Sequence, residues 1–83
     1  MIKFEVGNRY NCSSLYGSVT KYTVASRTAK QVTMEENWIS EDTWEEMKDY
    51  TTFDIITEGD EEKILVWEYK GHECYIYASE SLG

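Results

Sequence analysis

Residues 40–49, Ser-Glu-Asp-Thr-Trp-Glu-Glu-Met-Lys-Asp, place five carboxylates and one lysine in ten positions. Groups of one sign packed this closely repel one another, so the chemistry open to them is electrostatic: attraction of a cation or of a cationic surface. A second acidic stretch, Glu58-Gly59-Asp60-Glu61-Glu62 with Asp54 upstream, offers the oxygen ligands that Ca²⁺ takes. It lacks the D-x-[DN]-x-[DN]-G spacing of an EF-hand loop and reads as a solvated turn. His72 is the one histidine and sits beside a turn signal with no Ser or Cys at a recognisable nucleophile spacing. Cys74, two residues on, shares its strand face, so a Cys–His dyad is conceivable. No orienting motif or oxyanion turn accompanies it. The expectation is a protein that is not an enzyme, with no catalytic residue, no metal site and no cofactor.

The elements that carry these residues follow from periodicity. Residues 2–6 alternate, with Ile2, Phe4 and Val6 on one face, and read as a half-buried strand; residues 7–17 read as a loop or irregular edge. Residues 18–34 are β-branched and Thr-rich and form a hairpin reversing at 26–30, with Tyr22 and Val24 on one face and Val32 and Met34 on another. Residues 40–50 change period. Ser40 is a good N-cap, Ile39 and Trp44 make a hydrophobic staple, and Trp44, Met47 and Tyr50 fall on one apolar arc. The spacing predicts a short amphipathic helix over 40–50 whose apolar arc docks on the sheet. Residues 51–57 read as a strand, 58–61 as a turn, and 62–69 with 72–78 as a hairpin about Lys70-Gly71. A two-residue turn there sets Tyr69 opposite His72, Glu68 opposite Glu73 and Trp67 opposite Cys74. The expected fold is α+β: one domain over residues 1–83, a strongly curled antiparallel sheet or SH3-like barrel of five to six strands, and one acidic helix.

Charge is unevenly spread along the chain. The net charge is −8. Residues 1–34 carry Lys3, Arg9, Lys21, Arg27 and Lys30 against Glu5, whereas residues 35–62 carry twelve acids against Lys48. On a helix, Glu41/Glu45, Asp42/Glu46 and Glu45/Asp49 would be like-charged neighbours four residues apart, each unfavourable by roughly 0.2–0.5 kcal/mol. Such a face is either an ordinary solvated surface that keeps an acidic protein soluble or a row of negative points for a cationic groove. The average field opposes binding to nucleic acid and to anionic membranes, and no apolar run reaches the ~18 residues of a membrane span.

Cys12 and Cys74 lie in the first and last strand regions. A single long-range disulfide is possible, but the opening Met-Ile-Lys-Phe-Glu-Val has no basic n-region or apolar h-region. Reduced, partly buried thiols and a cytoplasmic location are therefore expected. The Asn11-Cys12-Ser13 sequon is then coincidental.

The opening Phe4-Glu-Val-Gly-Asn-Arg-Tyr10, the hairpin 21–34 and the closing stretch 64–77 resemble small β-rich proteins carried by phages and mobile elements of gut Firmicutes. That resemblance covers about half of the chain and implies a compact SH3-like or similar small β fold and a mobile-element origin; it brings no catalytic residue, and the acidic 40–50 stretch departs from it. Small acidic phage proteins include anti-CRISPR proteins and restriction inhibitors that imitate DNA. The function expected on these grounds is an inhibitor that blocks the cationic, nucleic-acid-binding groove of a host defence protein such as a CRISPR effector. Its partner-binding residues are Glu35, Glu36, Trp38, Glu41, Asp42, Glu45, Glu46, Asp49, Glu58, Asp60, Glu61, Glu62, Glu68, Glu73 and Tyr75. The partner is a basic protein surface, with no nucleic acid bound directly. The alternative is a small β-barrel accessory module that binds nucleic acid or a partner through the basic, Tyr-bearing N-terminal half.

Overall fold

Alternation of apolar and polar residues continues much further along the chain than a single hairpin would need. A computed structural model, which describes residues 1–13, 19–40 and 42–83, turns it into two antiparallel sheets. The first sheet holds β1 (Arg9–Ser13), β2 (Val19–Arg27), β3 (Gln31–Ile39) and β4 (Glu46–Asp54) in that order. The second holds β5 (Ile56–Glu58), β6 (Glu61–Tyr69) and β7 (His72–Tyr77), followed by a 3-10 turn at Ala78–Glu80. Within each sheet, strands consecutive in sequence pair with one another. The chain changes sheets at Ile55, whose N–H donates to the Lys30 carbonyl at 2.8 Å.

The inner faces meet in one core. Tyr10, Cys12, Tyr22, Val24, Val32 and Met34 come from the first sheet, Ile64 and Ile76 from the second, and Phe4 and Ala78 from the flanking segments. Val24 faces Met34 and Tyr10 faces Tyr22, so period-2 patterning places these side chains on one surface. Phe4 packs edge-to-face on Tyr10 at 5.5 Å and 67°.

Two bulges decide what else points inward. In β2 the register shifts between Val24 and Ser26, so Arg27 rather than Ser26 falls opposite the inward Val32. In β6 it shifts between Leu65 and Trp67, which keeps Trp67 opposite Cys74 but moves Leu65 out beside Tyr75. An extra residue reverses the facing of everything beyond it. The first bulge aims Arg27 at Glu62, which is 4% exposed. Arg27 donates to both Glu62 oxygens, at 2.6 and 3.0 Å, and to the Phe4 carbonyl at 2.7 Å; the Phe4 N–H donates to Glu62 at 2.9 Å. The ion pair holds the Glu62 carboxyl below its ordinary pKa, the Arg27 hydrogen bonds being the main cause and burial opposing them. This knot joins β2, β6 and the N-terminal segment.

Several expectations are corrected. Residues 2–6 form no strand beyond an isolated parallel bridge of Ile2 to Glu61, and only Phe4 of the three apolar residues is buried. Residues 7–17, read as a loop or irregular edge, contain the edge strand β1, which buries Tyr10 and Cys12; residues 14–18, including Tyr16, lie outside the described residues. Neither sheet closes into a barrel, because the chain leaves the first after four strands and starts a second. The helix over 40–50 is absent. Of the described residues, Ser40 and 42–45 close a long hairpin, with Ser40 N–H to the Glu45 carbonyl at 2.9 Å and Trp44 N–H to the Ser40 carbonyl at 2.8 Å; β4 begins at Glu46. A nine-residue β3 needs a partner of equal length, and pairing it satisfies more backbone than three turns of exposed helix. Among the described residues, the hairpin also dissolves the helical like-charge contacts of Asp42 with Glu46 and Glu45 with Asp49 and leaves one facing pair in β3 and β4, Glu36 with Asp49. The Lys70-Gly71 turn is as expected: Tyr69 faces His72, Glu68 faces Glu73, and both turn residues have positive φ, as a type I′ hairpin requires.

Candidate protein-binding surface

The β3–β4 hairpin runs from core to solvent. At its base Val32 and Met34 are fully buried opposite Phe53 and Thr51; at its far end residues 42–50 are all exposed. Pairing sorts the side chains into two faces. One carries Glu36, Trp38, Met47 and Asp49; the other carries Glu35, Asn37, Ile39, Glu46, Lys48 and Tyr50. Asp42 and Glu45 belong to the turn. Glu41 lies outside the described residues.

Large apolar groups are exposed among these charges. Trp44 is 78% exposed and adopts φ 58, a left-handed conformation that an aromatic residue rarely takes. Tyr50 is 55% and Met47 39% exposed, and Trp38 is half-buried opposite Met47. The arc expected to dock on the sheet is thus the part that does not dock.

The local base is neutralised within the hairpin. Lys48 reaches Glu35 at 3.2 Å, and Asn37 donates to the same Glu35 oxygen at 3.3 Å. The Lys48 hydrogen bond, then Asn37, lowers the Glu35 pKa. Glu36 accepts from the Thr51 hydroxyl at 3.0 Å, and Tyr22, buried beside it, has its phenol pKa raised by burial first and by Glu36 second. Asp49 accepts the N–H of Tyr50 at 2.8 Å, on the strand that forms the open edge of its sheet. Asp42, Glu45 and Glu46 have no ion-pair partner among the described residues.

The second acidic stretch is used differently. Glu58 bridges to Lys63 at 3.0 Å, Glu61 accepts the Ser79 N–H at 3.2 Å, and Glu62 is the buried partner of Arg27; only Asp60 is both exposed and uncommitted. Glu68 and Glu73 face each other on β6 and β7, and Tyr75 donates to Glu73 at 2.8 Å, which raises the Tyr75 pKa. Lys63 lies over the Tyr75 ring at 4.3 Å on the outer face of the second sheet. The expected acidic set is therefore split between the hairpin, the β5–β6 turn and the β6–β7 hairpin.

The basic N-terminal half makes a smaller platform than its five charges imply. Arg27 is spent on Glu62, whereas Arg9 and Lys21 share one shallow groove with Asn11, Asn37 and Glu46 on the outer face. His72 is exposed in its turn, while the Cys74 sulfur lies against Cys12, so no Cys–His dyad forms. Among the described residues no group of three or more His, Cys, Asp or Glu could hold a metal ion, and no helix is long and apolar enough to cross a membrane. The exposed Trp44, Met47 and Tyr50 are the candidate residues that helical patterning hid; Val32, Met34 and Trp38 on one strand parity, interrupted only by Glu36, were the signal that β3 runs on to Ile39. No family model, no curated protein and no solved structure matches the chain.

Proposed function

We propose that this protein is a non-enzymatic inhibitor that docks the far end of its β3–β4 hairpin into a cationic, nucleic-acid-binding groove of another protein. The observation that carries this reading is the unbroken exposure of residues 42–50, where Trp44, Met47 and Tyr50 stand among Asp42, Glu45, Glu46 and Asp49. Aromatic anchors ringed by polar groups are how protein interfaces concentrate their binding energy, and charges of one sign steer the encounter. Facing strands set opposed side chains about 5 Å apart, so the hairpin offers carboxylates on two faces and at its tip, a narrow negative edge in place of a helical row. The mechanism is occlusion: the carboxylates take the place of phosphates and release the counterions of the groove. A host-defence target such as a CRISPR effector follows from the resemblance to phage proteins alone.

The test is inhibition of a purified DNA-cleaving effector by the wild-type chain and by the triple reversal Glu45→Lys, Glu46→Lys, Asp49→Lys. Wild-type inhibition should weaken steeply with salt, and the reversal should abolish it while the melting curve persists. Equal inhibition by the folded triple variant would sink the proposal. A gel-shift of DNA or RNA by the isolated protein at low salt would instead favour an accessory module using Arg9 and Lys21.

A further inference from the structure

Cys12 on β1 and Cys74 on β7 are both free thiols, and their sulfurs are 2.8 Å apart. They are 62 residues apart in sequence and belong to different sheets. A disulfide bond is about 2.05 Å long, so closing the gap takes a shift of less than about 1 Å. Both side chains face the same interior: Cys12 belongs to the core and Cys74 packs against it. On another flank the sheets are already joined by Arg27 and Glu62. The thiols stand where a second tie between the sheets would go.

We propose that Cys12 and Cys74 are an oxidation site, at which a low-molecular-weight disulfide such as oxidised glutathione converts the pair to a disulfide bond between the two sheets. The more accessible Cys74 reacts first. It gives up its proton, and its thiolate attacks one sulfur of oxidised glutathione, forming a mixed disulfide and expelling one glutathione thiolate, which takes up a proton. Cys12, likewise deprotonated, then attacks the Cys74 sulfur, the intersheet bond forms, and the second glutathione leaves and is protonated. Two protein thiols are oxidised and one small disulfide is reduced to two thiols, so atoms and electrons balance. Burial, then the hydrogen bond with Cys12, pushes the Cys74 thiol up to about 12, with Glu80 adding to the shift. Thiolate is therefore scarce at neutral pH and the first exchange is slow.

The experiment incubates the full chain with excess oxidised glutathione and follows intact mass and melting temperature. The expected product is a monomer lighter by two hydrogens that melts at least about 10 °C higher, because the bond closes a long loop in the unfolded chain. Dithiothreitol should reverse both changes. Cys74→Ser, whose site is half-buried and tolerant, should remain without the melting shift under the same oxidant, and Cys12→Ser should do likewise if it folds. A wild-type chain that keeps both thiols, or that yields only glutathione adducts or disulfide-linked dimers, overturns the proposal. The wild-type mass measurement decides this whether or not either variant folds.

Discussion

Glu62→Ala tests the knot that fastens the two sheets. Glu62 accepts three hydrogen bonds, two from Arg27 and one from the Phe4 N–H. Truncation leaves a guanidinium whose side chain is only 18% exposed and a buried N–H without an acceptor. Breaking a buried pair from one side costs about 3–5 kcal/mol. A chain of this length has a total stability of about 4–12 kcal/mol at the usual per-residue range. With a urea dependence on the order of 1 kcal/mol/M, the midpoint should fall by about 3–5 M, or the folded baseline should vanish. Glu62→Gln keeps an acceptor for Phe4 and should cost less, about 1.5–3 kcal/mol. The double variant Arg27→Met/Glu62→Met should recover part of the loss, since no unpaired charge remains. The pH profile supplies an independent readout. The folded Glu62 pKa is depressed, so its contribution is complete above the ordinary carboxylate value of 4.5 and is lost as pH falls through the folded pKa. The Gln variant should lack that acid-side step. A Glu62→Ala midpoint within about 0.5 M of wild type would refute the reasoning.

Three further outcomes are expected. Trp44→Gly should raise the melting temperature by roughly 4–8 °C, because removing the left-handed strain gains about 1 kcal/mol, while inhibition weakens; a lower melting temperature would show that the indole packs against something. Lys70→Asn should stabilise by about 0.5–1 kcal/mol in urea titration, since Lys70 holds φ 49 before Gly71 and Asn-Gly favours that turn. Glu35→Gln should leave the urea midpoint unchanged in the same assay, because Lys48 is well exposed and such pairs contribute little.

The Lys70-Gly71 hairpin was legible in the sequence to the residue, because a two-residue turn between apolar runs leaves one register. The hairpin of β2 and β3 was legible from its β-branched, Thr-rich composition, but not its register: Ser26 and Arg27, expected in the reversal, belong to β2, and Val32 and Met34 share the inner face of Tyr22 and Val24. The bulges were not: Ala25 and Val66 look like ordinary strand residues, yet they decide that Arg27 points inward and Leu65 outward. Ser40, Ile39 and Trp44 satisfy every local rule for a helix start, and the rule that prevailed is nonlocal, the demand of β3 for a partner as long as itself. The acidic composition of the site was legible, but its geometry was not. Glu62 is fixed by Arg27, 35 residues earlier, and no local pattern relates the two.

The anchoring of Phe4 bears on how the chain acquires its structure during synthesis. The strands form two sequential meanders, so each strand can pair as soon as its successor has been made, and loop-closure costs stay small. Phe4 is one exception, beside the bond from the Tyr10 hydroxyl to the Ala78 carbonyl and the pairing of Arg27 with Glu62. The Phe4 N–H waits for a carboxylate 58 residues later, and the neighbouring Ile2 waits for Asp60 and Glu62. As the polypeptide leaves the ribosome N-terminus first, the Phe4 N–H and the Ile2 backbone therefore stay without these partners until β6 has emerged.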